Sequence, residues 1–175
     1  SMDPTLDMMA HRALGSALFW EGDLARARKN LEHAIAIYDH RVHHDLANQY
    51  FVDPGVVCLS TLGLTMWMLG HSEQGLARSR EAVQLGRSTS HAFSLGFALV
   101  YAAALHQLRD ETRPAFELAR EATDLSTKHA FPQGLALGAA VRGWVMVQQG
   151  NHASGLDEIQ RGIDWWRRSG TRLLI

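Results

Sequence analysis

The sequence contains one cysteine, Cys58, in 175 residues. A single cysteine cannot form an internal disulfide, and this usage fits a reducing compartment such as the cytoplasm. Neither sign of charge is in excess, since the net charge is -1. We therefore expect no long-range positive field and predict neither a nucleic-acid nor a membrane partner. No apolar run approaches the roughly 20 residues that a helix needs to cross a bilayer.

Recognisable catalytic motifs are also missing from the sequence. It has no Gly-x-x-x-x-Gly-Lys-Ser/Thr loop to bind phosphate and no His-Glu-x-x-His pattern to bind zinc. Cys58 lies among apolar neighbours at the start of a predicted helix, where a cysteine usually behaves as a small buried hydrophobe. We predict that the chain is not an enzyme by itself and that it needs no cofactor.

The sequence is rich in apolar residues spaced three, four or seven apart, which indicates amphipathic helices. Three of its four prolines follow a residue able to cap a helix, in Asp3-Pro4, Asp53-Pro54 and Thr112-Arg113-Pro114. Short polar turns separate the apolar stretches. We predict eight helices in four antiparallel pairs, with a long connection at 40–53; the helices span about 6–20, 24–40, 54–69, 73–88, 92–108, 112–129, 132–149 and 153–169.

Small residues recur at matched positions of the four pairs. The first set, in the middle of each first helix, is Gly15, Gly63, Ala103 and Gly143. Seven residues later, at the turn, stand Gly22, Gly70, Asp110 and Gly150. Twelve residues after the first set stand Ala27, Gly75, Ala115 and Gly155, and nineteen after it stand Ala34, Ala82, Ala122 and Gly162. Small side chains let two antiparallel helices approach closely, so the pattern predicts a stack of tight helix pairs.

This pattern resembles the tetratricopeptide repeat, with repeats longer than the usual ~34 residues. The resemblance implies an all-α superhelix over residues 3–170. Residues 1–2 are interpreted as the remnant of a cleaved tag. Residues 171–175 are interpreted as the start of a further, truncated repeat.

Several stretches also resemble one protein family more closely. They are residues 11–15 (HRALG), 53–60 (DPGVVCLS), 77–82 (ARSREA), 105–109 (LHQLR), 134–136 (GLA), 142–144 (RGW) and 149–150 (QG). They are similar to the C-terminal repeat region of large bacterial proteins that carry an adenylate or guanylate cyclase domain and an AAA-like ATPase domain. The resemblance implies a regulatory, non-catalytic role in signalling, through contacts with proteins or neighbouring domains.

In tetratricopeptide superhelices the first helix of each pair lines the concave groove. The matched positions assign to that groove Arg12, Phe19, Trp20, Trp67, Met68, Gln107, Trp144 and Gln148. Exposed aromatic patches usually mark interfaces, so these residues are candidates for binding a protein partner. Two alternatives stay open: the side chains fill a tightly wound superhelix, or the apolar groove binds a small molecule as a sensor domain would.

Two polar motifs have both a structural and a functional interpretation. Asp53, before Pro54, is predicted to cap a helix; alternatively it belongs to a ligand pocket beside the long connection. His40, His43 and His44 form the densest group of histidines, and His40 and His44 would share a helix face as zinc ligands do. Because no third ligand cluster has recognisable spacing, we favour a solvated helix end there and predict no metal site.

The C-terminal end is predicted to self-associate. Trp165 corresponds to Ile37, Leu85 and Leu125 of the earlier pairs, which should pack against the next pair. With Leu173 and Leu174 it would form an apolar end face, whereas repeat proteins normally finish with a polar cap. We therefore predict a homodimer through this face.

Overall fold

The computed structural model describes residues 3–168, except for the side chain of Gln133. This part of the chain is all-α, as predicted, and contains no strand. Its helices are α1 (Pro4–Glu21), α2 (Leu24–Ile37), α3 (His40–His43), α4 (Leu46–Tyr50), α5 (Pro54–Met68), α6 (Ser72–Ser88), α7 (Ala92–Leu108), α8 (Thr112–His129), α9 (Pro132–Gln148) and α10 (His152–Arg168). None of these helices is both long and apolar enough to cross a bilayer.

The connection at 40–53 differs from the prediction. The second helix ends at Ile37 rather than at residue 40, because Tyr38 turns to an extended conformation with ψ of 124°. Asp39 then caps a new short helix, accepting a hydrogen bond of 2.9 Å from the backbone N–H of Arg41. The connection therefore holds α3 and α4 instead of an irregular loop.

Aspartate caps explain where several helices begin. Asp3 accepts a hydrogen bond from the N–H of Thr5, and Asp53 accepts one from the N–H of Val56, so both predicted caps are confirmed. The prediction for Thr112 is wrong. Thr112 is already the first residue of α8, and the preceding residue makes no capping hydrogen bond through its side chain.

The small residues that the alignment singled out are all buried. They comprise four from the first helices, Gly15, Gly63, Ala103 and Gly143, and eight from the second helices, Ala27, Gly75, Ala115, Gly155, Ala34, Ala82, Ala122 and Gly162. A Cβ built on Gly63 would lie 3.1 Å from the carbonyl oxygen of Gly75, and one built on Gly75 would lie 2.6 Å from that of Gly63. The two backbones are therefore in direct contact, which only glycine or another small residue permits.

The turn positions share one backbone conformation. Gly22, Gly70 and Gly150 have φ of 83°, 87° and 84°, and Asp110 has φ of 60° at the matched position of the third pair. Left-handed residues of this kind end helices, because their N–H groups reach back to the last carbonyls. The predicted turns are thus confirmed in all four pairs.

The chain divides into two compact units, Ser1–Tyr101 and Ala102–Ile175, and the division falls within α7. A core cluster of unit 1 joins α1, α2 and α5 and consists of Met8, Leu31, Ala34, Cys58, Leu62 and Met66. A core cluster of unit 2 joins α7, α8 and α9 and consists of Ala103, Ala115, Ala119 and Val141. Each unit therefore has an apolar core of its own.

Candidate functional site

An exposed apolar side chain recurs at one position of the repeat, five residues after the small residue in the first helix. Trp20, Met68 and Leu108 occupy this position in the first three pairs and are 45%, 47% and 44% exposed. Each stands in the last turn of its helix, in α1, α5 and α7. The matched residue of the fourth pair is Gln148, which is also exposed. We call Trp20, Met68 and Leu108 the exposed repeat positions.

The other predicted groove residues of unit 1 are less accessible. Phe19 is only 7% exposed, and its ring meets the ring of Trp20 edge-on at 5.0 Å. Arg12 is half-buried, with its guanidinium 6.0 Å from the centre of the Tyr50 ring. Trp67 is half-buried as well. Of the two tryptophans predicted to lie in this part of the groove, Trp20 is thus the exposed one.

In unit 2, Trp144 packs against the core cluster of Ala103, Ala115, Ala119 and Val141. Gln107 is half-buried, whereas Gln148 is exposed. A partner could therefore reach Gln148 freely but Trp144 only in part.

A cavity of about 310 Å³ opens on the α9–α10 pair. It is lined mainly by small and apolar side chains, together with one arginine: Ala136, Leu137, Ala140, Gly162, Ile163, Trp166 and Arg167. The predicted groove residues are not among them. At the same end of the unit, Trp165 is 37% exposed. Leu173 and Leu174 lie outside the described residues, so the dimer face stays a prediction.

Asp53 is the centre of a buried polar network in unit 1. It is 0% exposed, and its Oδ2 accepts a hydrogen bond of 2.8 Å from the hydroxyl of Tyr38. Its N–H donates to Oγ of Ser94 at 2.8 Å, and the Ser94 hydroxyl in turn donates to Nδ1 of His91. The residue therefore caps α5 and also ties that helix to the segment after α2 and to the start of α7.

Gly55 completes this arrangement. A Cβ on Gly55 would lie 2.6 Å from the ring of Tyr38, so a larger residue would push the tyrosine away from Asp53. From the sequence, Asp53 is predicted to cap a helix or to belong to a ligand pocket, and its contact with Tyr38 is not predicted. No local pattern links Tyr38 to a motif fifteen residues later.

Replacing Tyr38 with Phe should lower the free energy of unfolding by about 2 kcal/mol, because a buried carboxylate oxygen loses its hydrogen bond. Burial, and then the charge of Asp53, raise the pKa of Tyr38. The folded state therefore keeps the phenol neutral, and stability is lost as the pH rises above the ordinary tyrosine pKa of about 10. Urea unfolding from neutral to alkaline pH should show a shallower decline in the variant.

Tyr50→Phe is the matched control, because Tyr50 is 47% exposed. It should leave the urea midpoint nearly unchanged. A Tyr38→Phe variant as stable as the parent chain would show that the buried hydroxyl contributes little.

Cys58 belongs to the core of unit 1 and is 1% exposed. Burial raises the pKa of its thiol to about 12. Because the thiolate is the reactive form, a thiol in this environment is a poor nucleophile. The interpretation of Cys58 as a small buried hydrophobe is confirmed.

The histidines of the 40–53 connection differ in their surroundings. His43 is 5% exposed, accepts a hydrogen bond from the N–H of Asp39 and stacks on Tyr38. The rings of His40 and His44 are 5.9 Å apart. The expectation of a solvated helix end is therefore wrong for His43, whose ring fills the space beside Tyr38.

A different group of possible metal ligands was missed. In the part of the chain that the structure describes, Asp7, His11 and His33 bring their ligand atoms within 4.8 Å of one another. The spacing of Asp7 and His11, four residues apart on α1, was a usable signal. His33 lies on α2, and only the packing of the two helices brings it to the pair.

Comparison with known proteins adds no family to this description. No protein-family model and no curated protein matches the chain.

Proposed function

We propose that this chain is a helical-repeat module of the tetratricopeptide kind that binds protein segments through the exposed repeat positions of each unit and is not an enzyme by itself. The recurrence of Trp20, Met68 and Leu108 carries this proposal. Single exposed apolar residues are common on protein surfaces and need no explanation. An apolar residue exposed to the same degree in three pairs, at one position of the repeat, is better explained by binding.

The close approach of paired helices depends on other residues. Tight pairing depends on the small residues, which are buried in every pair. The exposed repeat positions stand at the ends of the first helices and keep almost half of their surface open. Large apolar side chains of this kind serve as the anchors of protein interfaces.

The resemblance to the repeat region of bacterial cyclase–ATPase proteins suggests the setting. We place the module in the cytoplasm, as a regulatory segment whose partner is a neighbouring domain or a second signalling protein. The single cysteine and the balanced charge agree with this setting.

A peptide selection tests the proposal. Short random peptides displayed on phage are selected on the purified chain, and the affinity of the enriched peptides is measured by fluorescence anisotropy. We expect them to share apolar anchors. The double variant Trp20→Ser, Met68→Ser should weaken their binding by about tenfold or more, which corresponds to at least ~1.4 kcal/mol.

Leu14→Ser is the matched control, because Leu14 is 45% exposed on the same helix as Trp20. It stands six residues earlier and so points to another face of α1. Equal weakening by the control and the double variant would overturn the assignment, as would selected peptides that bind all variants alike.

A small-molecule sensor is the second candidate, favoured by the cavity on α9 and α10. Its volume of about 310 Å³ lies at the lower end of the range for ligand pockets. Arg167 is the charged residue in its lining, and specific ligand sites usually combine several converging polar groups. The protein-binding proposal therefore has the stronger support.

A further inference from the structure

Three side chains with metal-binding atoms converge between α1 and α2. Oδ1 of Asp7 lies 3.4 Å from Nε2 of His11, and its Oδ2 lies 3.0 Å from Nε2 of His33. The centres of the two imidazole rings are 4.0 Å apart. The Asp7 carboxylate thus faces Nε2 of both histidines.

These separations suit a small metal ion. Bonds from zinc to nitrogen and oxygen are roughly 2.0–2.2 Å long, so two neighbouring ligand atoms of a tetrahedral site lie roughly 3.3–3.5 Å apart. The 3.4 Å from Oδ1 of Asp7 to His11 lies in that range, whereas the 3.0 Å from Oδ2 to His33 is a hydrogen-bond distance, so the metal ion would replace the hydrogen of that bond. Small side-chain rotations would complete the coordination without movement of the helices.

A neighbouring amide orients the imidazole ring of His11. Nδ2 of Asn30 donates to the carbonyl oxygen of Arg26 at 2.8 Å, which orients the amide so that its Oδ1 faces His11. Nδ1 of His11 lies 2.7 Å from that oxygen and must carry the hydrogen of the bond. In the neutral ring, Nε2 then has a bare lone pair directed at Asp7. This lone pair and the Asp7 carboxylate are then both available as ligands for a cation placed between them.

The helices hold the three residues in place while leaving them open to solvent. Gly15 lets α1 approach α2 closely, since a Cβ on Gly15 would lie only 2.8 Å from the side chain of Leu31. The side chains of Asp7, His11 and His33 are 24%, 33% and 48% exposed. An ion can therefore enter, and water can occupy the coordination positions that the protein leaves free.

We propose that Asp7, His11 and His33 bind a divalent transition metal ion, with Asn30 as the positioning residue for His11. Two imidazoles and one carboxylate suit Zn²⁺ and similar first-row ions. Ca²⁺ and Mg²⁺ prefer a shell made entirely of oxygen. The site shares no residue with the exposed repeat positions. Its test is therefore independent of the test of the proposed function.

Calorimetric titration of the purified, tag-free chain with zinc chloride tests the site. We expect one equivalent to bind with a dissociation constant in the micromolar range or below. Asp7→Asn, His11→Gln and His33→Gln should each weaken binding by about a hundredfold or more, because losing even an outer partner of a metal ligand costs about tenfold to a hundredfold. Magnesium chloride should give no binding heat.

The Asn30→Ala variant tests whether Asn30 positions His11 for metal binding. Removing the acceptor of His11 should weaken zinc binding by about tenfold or more. His44→Gln is the matched control, because His44 is an exposed histidine beside an aspartate, Asp45, in the same unit. Circular dichroism checks that each variant is folded. Zinc binding that His33→Gln leaves unchanged, or that His44→Gln weakens equally, would overturn the proposal.

Discussion

Replacing Glu158 with Ala is expected to lower the free energy of unfolding of unit 2 by about 3 kcal/mol, the cost of leaving a buried charge without its partner. Glu158, on α10, is 7% exposed; it accepts a hydrogen bond from Arg142 on α9 and forms an ion pair with Arg161 on its own helix. Arg142 also donates to the hydroxyl of Thr123 on α8. The guanidinium of Arg142, on α9, therefore connects that helix to α8 and α10.

Arg161→Ala is the control for this prediction. Arg161 is 65% exposed, so its ion pair with Glu158 is screened by water and should contribute no more than about 1 kcal/mol. The double variant Arg142→Met, Glu158→Leu should recover most of the loss, because apolar residues can replace a buried ion pair. Urea unfolding followed by tryptophan fluorescence measures all three. Equal losses in Arg161→Ala and Glu158→Ala would contradict the argument.

Replacing Gly75 with Ala should destabilise unit 1, although alanine normally favours a helix by about 1 kcal/mol over glycine. The new Cβ would lie 2.6 Å from the carbonyl oxygen of Gly63 and 3.1 Å from the backbone nitrogen of Trp67. Both are main-chain atoms and cannot move aside without separating α5 from α6. We expect a net loss of about 2 kcal/mol, as overpacking of a core typically gives.

Gln74→Ala is the adjacent control, since Gln74 is exposed on the same helix. It should leave the thermal midpoint unchanged or raise it slightly. If Gly75→Ala raised the midpoint as well, the contact between the two backbones would not be close enough to limit the side chain.

The fold could be predicted largely because each repeat carries its own local signals. Asp3 and Asp53 mark helix starts, and Gly22, Gly70 and Gly150 mark turns, without reference to distant residues. The short helices α3 and α4 were missed, because their four and five residues are too few to show a periodic pattern. The start of α3 depends on Asp39, whose capping role only the structure shows.

The side-chain groups could not be predicted in the same way. Whether His33 meets Asp7, or Arg142 meets Glu158, depends on how two helices are rotated about their axes. A rotation of one residue, about 100°, would direct either side chain elsewhere. Burial was also hard to predict: Phe19 and Trp20 are neighbours, yet one lies in the core and the other is 45% exposed.

The four turn positions are restricted by torsion angle and not by volume. A Cβ on Gly22, Gly70 or Gly150 would meet no described atom within 4 Å, and the third pair already uses Asp110. A sequence profile for further copies of this repeat should therefore accept Gly, Asn or Asp in that column, and reject β-branched residues there. It should require a small residue only where the helix backbones touch. A profile that required glycine in that column would overlook repeats that carry Asn or Asp there.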